Sequence, residues 1–139
     1  MSDSVRPNTN IYVTIPVFLV DDIVKSAEWY RDVLGFQFDR YWGEPPCFVM
    51  LGRDEIEIFL SGPETPGDKI MRPNRSVTHA WDAYIRVRNV RALYEEFKAK
   101  GAKIVRGPES TFYEMCEIEV EDINGYALCF GQNIAGEKK

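Results

Sequence analysis

The stretch IPVFLVDDIVKSAEWYRDVLGF, residues 15–36, decides the fold that we predict for this chain. It opens with β-branched and aromatic residues typical of a strand, and Asp22 then offers a cap for a helix with apolar residues at helical spacing. Gly35 ends that helix, because glycine readily adopts the left-handed conformation of a helix C-cap. The stretch therefore predicts a strand over residues 11–20 followed by an amphipathic helix.

The same pattern returns in WDAYIRVRNVRALYEEFKAKGAKI, residues 81–104, where a strand leads into a helix that ends at Gly101. Three short strand candidates follow each helix, and Asn124-Gly125 is typical of a tight turn between the last two. Matching order and matching caps indicate a duplicated β-α-β-β-β module. The predicted fold class is therefore α+β.

We predict one domain over residues 9–133, made of modules 9–61 and 78–132. The linker 62–77 that joins them is rich in glycine and proline and has no hydrophobic periodicity. Pro16 lies inside the first strand, which predicts an edge position, a bulge or a strand that crosses between subunits.

Composition excludes several classes of protein. The 139 residues fit one domain, and a net charge of -5 disfavours nucleic acid as a partner, because binding phosphates needs clustered Lys and Arg. No apolar run is long enough to span a bilayer and the N-terminus is polar, so we expect no membrane partner and a cytoplasmic location. Cys47, Cys116 and Cys129 are widely spaced and indicate reduced thiols, not a disulfide framework or a zinc site.

Residues 15–36, residues 81–104 and EIEVEDINGYALCFGQ, residues 117–132, together resemble the vicinal oxygen chelate superfamily, also called the glyoxalase/bleomycin-resistance/dioxygenase group. Trp29-Tyr30 followed by Leu34-Gly35-Phe36 carries the resemblance at the first helix. The resemblance implies two modules whose strands form a curled mixed sheet around a cleft. It also implies a homodimer.

The resemblance identifies where the superfamily's metalloenzymes would hold a divalent ion. The matching positions here are Ile15, Asp82, Cys129 and either Phe59 or Ile58. Isoleucine and phenylalanine have no lone pairs for a metal. We therefore expect no metal and no other cofactor.

The bleomycin-resistance branch looks closer, because its members are similar in opening with Pro-Val, here 16 and 17, and in carrying a YIRV strand, residues 84–87. That branch binds a cationic aromatic antibiotic without a catalytic metal. This chain departs from it at Phe112-Tyr113-Glu114, where the branch usually has a Trp-Gly pair.

Strand alternation predicts which side chains line the cleft. Ile58, Leu60, Ile118 and Val120 are expected to pack under helices, which places acidic and aromatic residues on the opposite faces, with Arg86 as a counter-charge. The predicted ligand-binding residues are Trp42, Glu57, Phe59, Asp82, Tyr84, Arg86, Phe112 and Glu117.

Carboxylates beside aromatic rings suit a cation through Coulomb attraction and cation–π contact. The first functional hypothesis is therefore capture of a cationic or aromatic small molecule, similar to antibiotic-resistance proteins that sequester their ligand. The alternative is a divalent-metal-dependent lyase or dioxygenase with an atypical ligand set, such as Glu57, Asp82 and Glu117. A third is a degenerate module retained as a subunit. The sequence leaves open whether the protein is catalytic and which ligand it binds.

Overall fold

The computed structural model describes residues 10–65 and 81–136, which fold into the predicted order of elements in both halves. In chain order they are β1 (Val17–Leu19), α1 (Ile23–Leu34), β2 (Tyr41–Trp42), β3 (Phe48–Arg53), β4 (Ile56–Ser61), β5 (Ala83–Arg86), α2 (Val90–Ala99), β6 (Lys103–Ser110), β7 (Met115–Glu121) and β8 (Ala127–Asn133). The predicted α+β fold with two β-α-β-β-β modules is confirmed. Residues 66–77 of the proposed linker lie outside the described residues, so the limits of domain, modules and linker stay predictions.

Each module forms its own four-stranded mixed sheet. The strand orders are β1-β4-β3-β2 and β5-β8-β7-β6, and in each sheet the first strand runs parallel to the last while the remaining pairs are antiparallel. The chain correspondingly divides into two compact units, one on each sheet. The identical strand order supports the duplication inferred from the sequence.

Both helices are capped as the sequence predicts. The side chains of Asp22 and Asn89 each accept a hydrogen bond, at 3.0 Å, from the backbone N–H three residues further on. Gly35 and Gly101 follow the helices with φ of 77° and 82°, which is the left-handed region that favours glycine. Among residues 10–65 and 81–136, no helix is both long and apolar enough to cross a membrane.

Strand alternation sorts the core side chains as predicted. Ile58 and Leu60 are buried on β4, and Ile118 and Val120 are fully buried on β7. On α2, Val90 and Phe97 are the buried residues. Each sheet therefore has one apolar face, and the residues between these positions face the other way.

The first strand is shorter than predicted. Residues 11–13 are exposed, and β1 begins only at Val17. Pro16 has no backbone N–H to donate to a neighbouring strand, although its carbonyl accepts the N–H of Phe59 at 3.0 Å. The prediction of a strand over residues 11–16 was therefore wrong. Of the alternatives predicted for Pro16, the edge position agrees with β1 lying at the edge of its four-stranded sheet, and a strand crossing between subunits stays a prediction.

Candidate functional site

Glu117 is the central residue of the candidate site. It lies in the middle of β7, and its side chain is fully buried. Alternation turns it to the face opposite Ile118 and Val120. A charged carboxylate that loses its water is stable only when it is paired and hydrogen-bonded.

Three side chains satisfy the Glu117 carboxylate. Oε2 accepts hydrogen bonds from the hydroxyls of Tyr84, at 2.7 Å, and Tyr113, at 2.8 Å, while Oε1 accepts one from Arg106 Nη2 at 3.0 Å. Burial alone would raise the pKa of the Glu117 carboxyl, but these hydrogen bonds outweigh burial and hold the pKa below its ordinary value. Glu117 is therefore ionised at neutral pH.

Arg106 joins Glu117 to two further carboxylates. Its Nη1 lies 3.0 Å from Glu109 Oε2, and its Nε lies 3.3 Å from Glu119 Oε1. Burial would lower the pKa of the guanidinium, but the hydrogen bonds to the three glutamates raise it. One positive charge thus faces three negative charges.

An aromatic pair lies beside these charges. The rings of Trp81 and Tyr84 are 5.0 Å apart and tilted by 54°, and the indole N–H of Trp81 donates to Glu119 Oε1 at 3.3 Å. The name Glu117 cluster is used below for Trp81, Tyr84, Arg106, Glu109, Tyr113, Glu117, Glu119 and Cys129.

A bulge in β6 explains why Arg106 reaches Glu117. Ile104 pairs with Val120, but Arg106 pairs with Glu119, so the register shifts by one residue between them. Simple alternation would place Arg106 on the same face as Ile104, under the helix. A bulge re-aims the side chain that follows it, and here it turns the guanidinium to the glutamate face.

Gly131 makes room for Tyr84. These residues lie on neighbouring strands, and a Cβ at position 131 would overlap the Tyr84 hydroxyl. Without a side chain there, the tyrosine can cross β8 and reach Glu117 on β7. Gly107 acts similarly on β6, because its φ is +90° and an added Cβ would overlap the Glu117 carbonyl oxygen.

Cys129 borders the cluster on β8 and is buried. Its Sγ lies 3.7 Å from Arg106 Nη2. Burial, followed by the negative charge of Glu117, raises the pKa of the thiol to about 12. The thiolate is the reactive form of cysteine, so Cys129 is an uncharged side chain at the border of the cluster and is not an activated nucleophile.

The structure brings together only part of the predicted set in the second unit. Tyr84 and Glu117 are hydrogen-bonded partners. The Asp82 carboxylate instead accepts the backbone N–H of Ala127 at 2.8 Å, which secures the start of β8. Arg86 is exposed on β5, and the cation that contacts the glutamates is Arg106.

Phe112 lies in the connection between β6 and β7. It is 94% exposed and makes an edge contact with Tyr113, with ring centroids 5.1 Å apart. It therefore adds exposed aromatic surface next to the tyrosine that bonds Glu117.

The other three predicted residues lie in the first unit. Trp42 is partly exposed and its ring is covered by the Arg40 guanidinium at 3.7 Å, while Phe59 contacts Phe48 edge-on at 5.5 Å. Glu57 is exposed on β4. Ligand-binding roles for all eight residues stay predictions.

Sequence reasoning missed Arg106, Glu109 and Tyr113. Arg106 was hidden by the bulge, since alternation from Ile104 assigns it to the wrong face. Tyr113 follows β6 in a connection, where alternation gives no direction. The usable signal was Gly107-Pro108, which lies inside β6, because glycine and proline within a strand often mark a bulge.

The residues that match the superfamily's metal positions do not fit a divalent ion. Ile15 and Phe59 have no donor atom, the Asp82 carboxylate is held by a backbone N–H, and the Cys129 thiol is neutral. Within residues 10–65 and 81–136, no three His, Cys, Asp or Glu side chains form a group that could hold a metal.

Solved structures with the same fold come from several bacteria. A glyoxalase/bleomycin resistance protein/dioxygenase from Nocardioides is 16% identical, with a TM-score of 0.67, covering 94% of this chain and 88% of its own. TioX from Micromonospora sp. ML1 is 16% identical, with a TM-score of 0.67 and coverage of 86% and 96%. TnmS3, an antibiotic binding protein from Streptomyces sp. CB03234, is 17% identical, with a TM-score of 0.66 and coverage of 89% and 97%. At these identities the likeness shows the fold alone.

No curated protein sequence matches the chain significantly. A family model, however, matches residues 13–130, which include both modules and all eight strands up to the middle of β8. The chain therefore belongs to the Glyoxalase/Bleomycin resistance protein/Dioxygenase superfamily.

Proposed function

We propose that this protein binds a cationic or aromatic small molecule at the face that carries the Glu117 cluster, without a catalytic metal. The observation that carries the proposal is the fully buried Glu117 carboxylate, which holds two tyrosine hydroxyls and a guanidinium in place. A group so costly to bury is expected where it organises a site.

The charge of the cluster favours a cation. Within the described residues, Arg106 is the cation that the structure pairs with these three glutamates, and Glu109 and Glu119 are 53% and 24% exposed at their side chains. Negative charge therefore remains at the accessible edge of the cluster. An incoming cation gains Coulomb attraction there without displacing the buried pair.

The aromatic residues favour a ligand with a flat apolar part. Trp81 and Tyr84 have adjacent rings beside Glu119, and Tyr113, the other tyrosine that bonds Glu117, is 37% exposed. A cation over such a ring gains roughly 0.5–2 kcal/mol. TnmS3, an antibiotic binding protein with the same fold, is compatible with this ligand class.

The test uses matched probes that share one aromatic group: 1-naphthylmethylammonium and the neutral 1-naphthylmethanol, titrated by calorimetry. We expect the cation to bind more tightly, and Glu119→Gln to weaken it about tenfold, the effect of losing one charged hydrogen bond.

Glu121→Gln is the control, because it removes the same charge from the same strand at a residue paired with Lys103 at 3.2 Å. We expect it to change affinity less than twofold. Failure of both probes to bind, or equal effects of the two variants, would contradict the proposal.

The alternative function, a metal-dependent lyase or dioxygenase, is tested separately. Elemental analysis of protein purified without a metal-affinity tag would support it if a transition metal were found in stoichiometric amount.

A homodimer in the cytoplasm, as the resemblance and composition imply, is also part of the proposal. Size-exclusion chromatography with light scattering tests the dimer.

A further inference from the structure

The hydroxyl protons of Tyr84 and Tyr113 have defined directions. An ionised carboxylate can only accept hydrogen bonds, so both hydroxyls must donate to Glu117 Oε2. Each hydroxyl has one proton, and that proton is already used. What each tyrosine oxygen still offers is its lone pairs.

The main donors of the cluster are directed at its own carboxylates. Arg106 donates to Glu109, Glu117 and Glu119, and the Trp81 indole N–H also donates to Glu119. The remaining oxygens of Glu109 and Glu119 are acceptors as well. Four of the five N–H groups of Arg106 are accounted for by the three glutamates and Cys129. The hydrogen-bonding capacity that the cluster leaves for a ligand is therefore mostly acceptor capacity.

The position of Tyr84 is built into the sheet. Gly131 leaves the space across β8 that the tyrosine occupies, since any Cβ there would overlap its hydroxyl. The pKa values of Tyr84 and Tyr113 are raised, by burial first and then by Glu117, so both phenols keep their protons at neutral pH. The acceptor character of the face is thus a stable feature.

From this pattern we infer that the ligand cation carries N–H hydrogens, as a primary ammonium or a guanidinium does, and is not a quaternary ammonium. The inference rests on the proposed function and narrows its ligand class. An ammonium N–H can donate to the tyrosine oxygens and to Glu119, whereas a trimethylammonium group would place methyl groups against acceptors and leave them unsatisfied.

The test compares 1-naphthylmethylammonium with its N,N,N-trimethyl counterpart and with 1-naphthylmethanol. The primary amine is expected to bind at least about tenfold more tightly than the trimethyl compound, the range for charged hydrogen bonds. Equal or tighter binding of the trimethyl compound overturns the inference and leaves the proposed function standing. Failure of all three probes to bind overturns both.

Glu117→Gln provides a reversal of hydrogen-bond direction. With its amide nitrogen at the position of Oε2, glutamine donates one N–H to each tyrosine, and the two hydroxyl protons then turn outward. The preference for the primary amine over the trimethyl compound should fall to about twofold or less, because the outward hydroxyl protons and the ammonium N–H groups are then both donors.

Glu121→Gln controls for the change in charge and should keep the preference. If the two variants lower the preference equally, charge alone explains it and the inference is wrong. Tyr113→Phe gives a second route that keeps the Glu117 carboxylate and its charge, although it removes one of the hydrogen bonds that the carboxylate accepts. It should reduce the preference about threefold by removing one of the acceptor oxygens, and an unchanged preference in that variant counts against the inference.

Discussion

Replacing Arg106 by methionine should destabilise the protein by about 3–4 kcal/mol at pH 7.5, in the range for breaking a buried ion pair. Methionine keeps most of the apolar stem but removes the guanidinium. Glu117 then stays fully buried, with its two tyrosine donors but without its counter-charge. The loss of contact with Glu109 adds little, because that side chain is 53% exposed.

Protonation sets the upper limit of the penalty. If the unpaired Glu117 carboxyl becomes too unfavourable as an anion, it takes up a proton instead. From an ordinary glutamate pKa of about 4.3, holding the proton costs about 4 kcal/mol at pH 7.5 and about 1 kcal/mol at pH 5. The penalty should therefore grow with pH by up to about 1.4 kcal/mol per unit.

The sign of the pH dependence follows from the direction of each pKa shift. In the native protein the pKa of Glu117 lies below its ordinary value, so its contribution is present above the unfolded pKa and is lost as pH falls through the folded one. In Arg106→Met we expect the pKa of the Glu117 carboxyl to rise above its ordinary value, because burial then acts without the counter-charge; the contribution should therefore be present below the unfolded pKa and be lost as pH rises. The two unfolding free energies should thus converge toward pH 5.

Urea denaturation followed by circular dichroism at pH 5, 6 and 7.5 measures the difference. Glu109→Gln serves as the control and should cost less than about 1 kcal/mol at each pH, as exposed pairs do. The reasoning would be refuted by a cost below about 1 kcal/mol for Arg106→Met at pH 7.5, or by a cost that does not change with pH.

Three further variants or treatments test other parts of the structure. Gly131→Ala should displace Tyr84 and lower the unfolding free energy by about 1–3 kcal/mol, as overpacking does. In a double-mutant cycle this loss should largely disappear on a Tyr84→Ala background, and a loss that persists there would place the strain elsewhere. Asp122→Ala should lower the unfolding free energy by about 2–3 kcal/mol, since the buried carboxylate accepts two backbone N–H groups of the β7–β8 turn at 2.8 Å. A urea midpoint within error of the wild-type midpoint would show that the turn does not need this carboxylate. Alkylation of the folded protein at pH 9 should label the half-buried Cys47 before Cys129, because burial raises the pKa of the Cys129 thiol to about 12. Peptide mapping that finds Cys129 labelled first would contradict this order.

The repeated strand-helix pattern was sufficient to predict the fold. Helix spacing, the caps at Asp22 and Asn89 and the glycines that follow each helix are local features, and each was confirmed. The packing of Ile118 and Val120 was also predictable, because alternation along an unbroken strand depends only on the backbone.

The tertiary structure decided what surrounds Glu117. The alternation rule placed this glutamate on the right face, but it could not show that the carboxylate is buried or that Arg106 is its partner. That pairing depends on the register between β6 and β7, and the bulge after Ile104 shifts the register by one residue. A one-residue shift moves a side chain to the opposite face, so the nearest cation could not be identified from spacing alone.

Residues 15–36 also show which features the sequence determines and which features only the tertiary structure decides. By itself this stretch predicted a strand and a capped helix, and its repeat at residues 81–104 indicated the duplication. Only the structure decided that pairing starts at Val17, because the carbonyl of Pro16 contacts β4 whereas its nitrogen has no proton to donate. Local backbone preferences depend on residues that are adjacent in the sequence, whereas hydrogen-bond partners on neighbouring strands depend on residues far away in the chain.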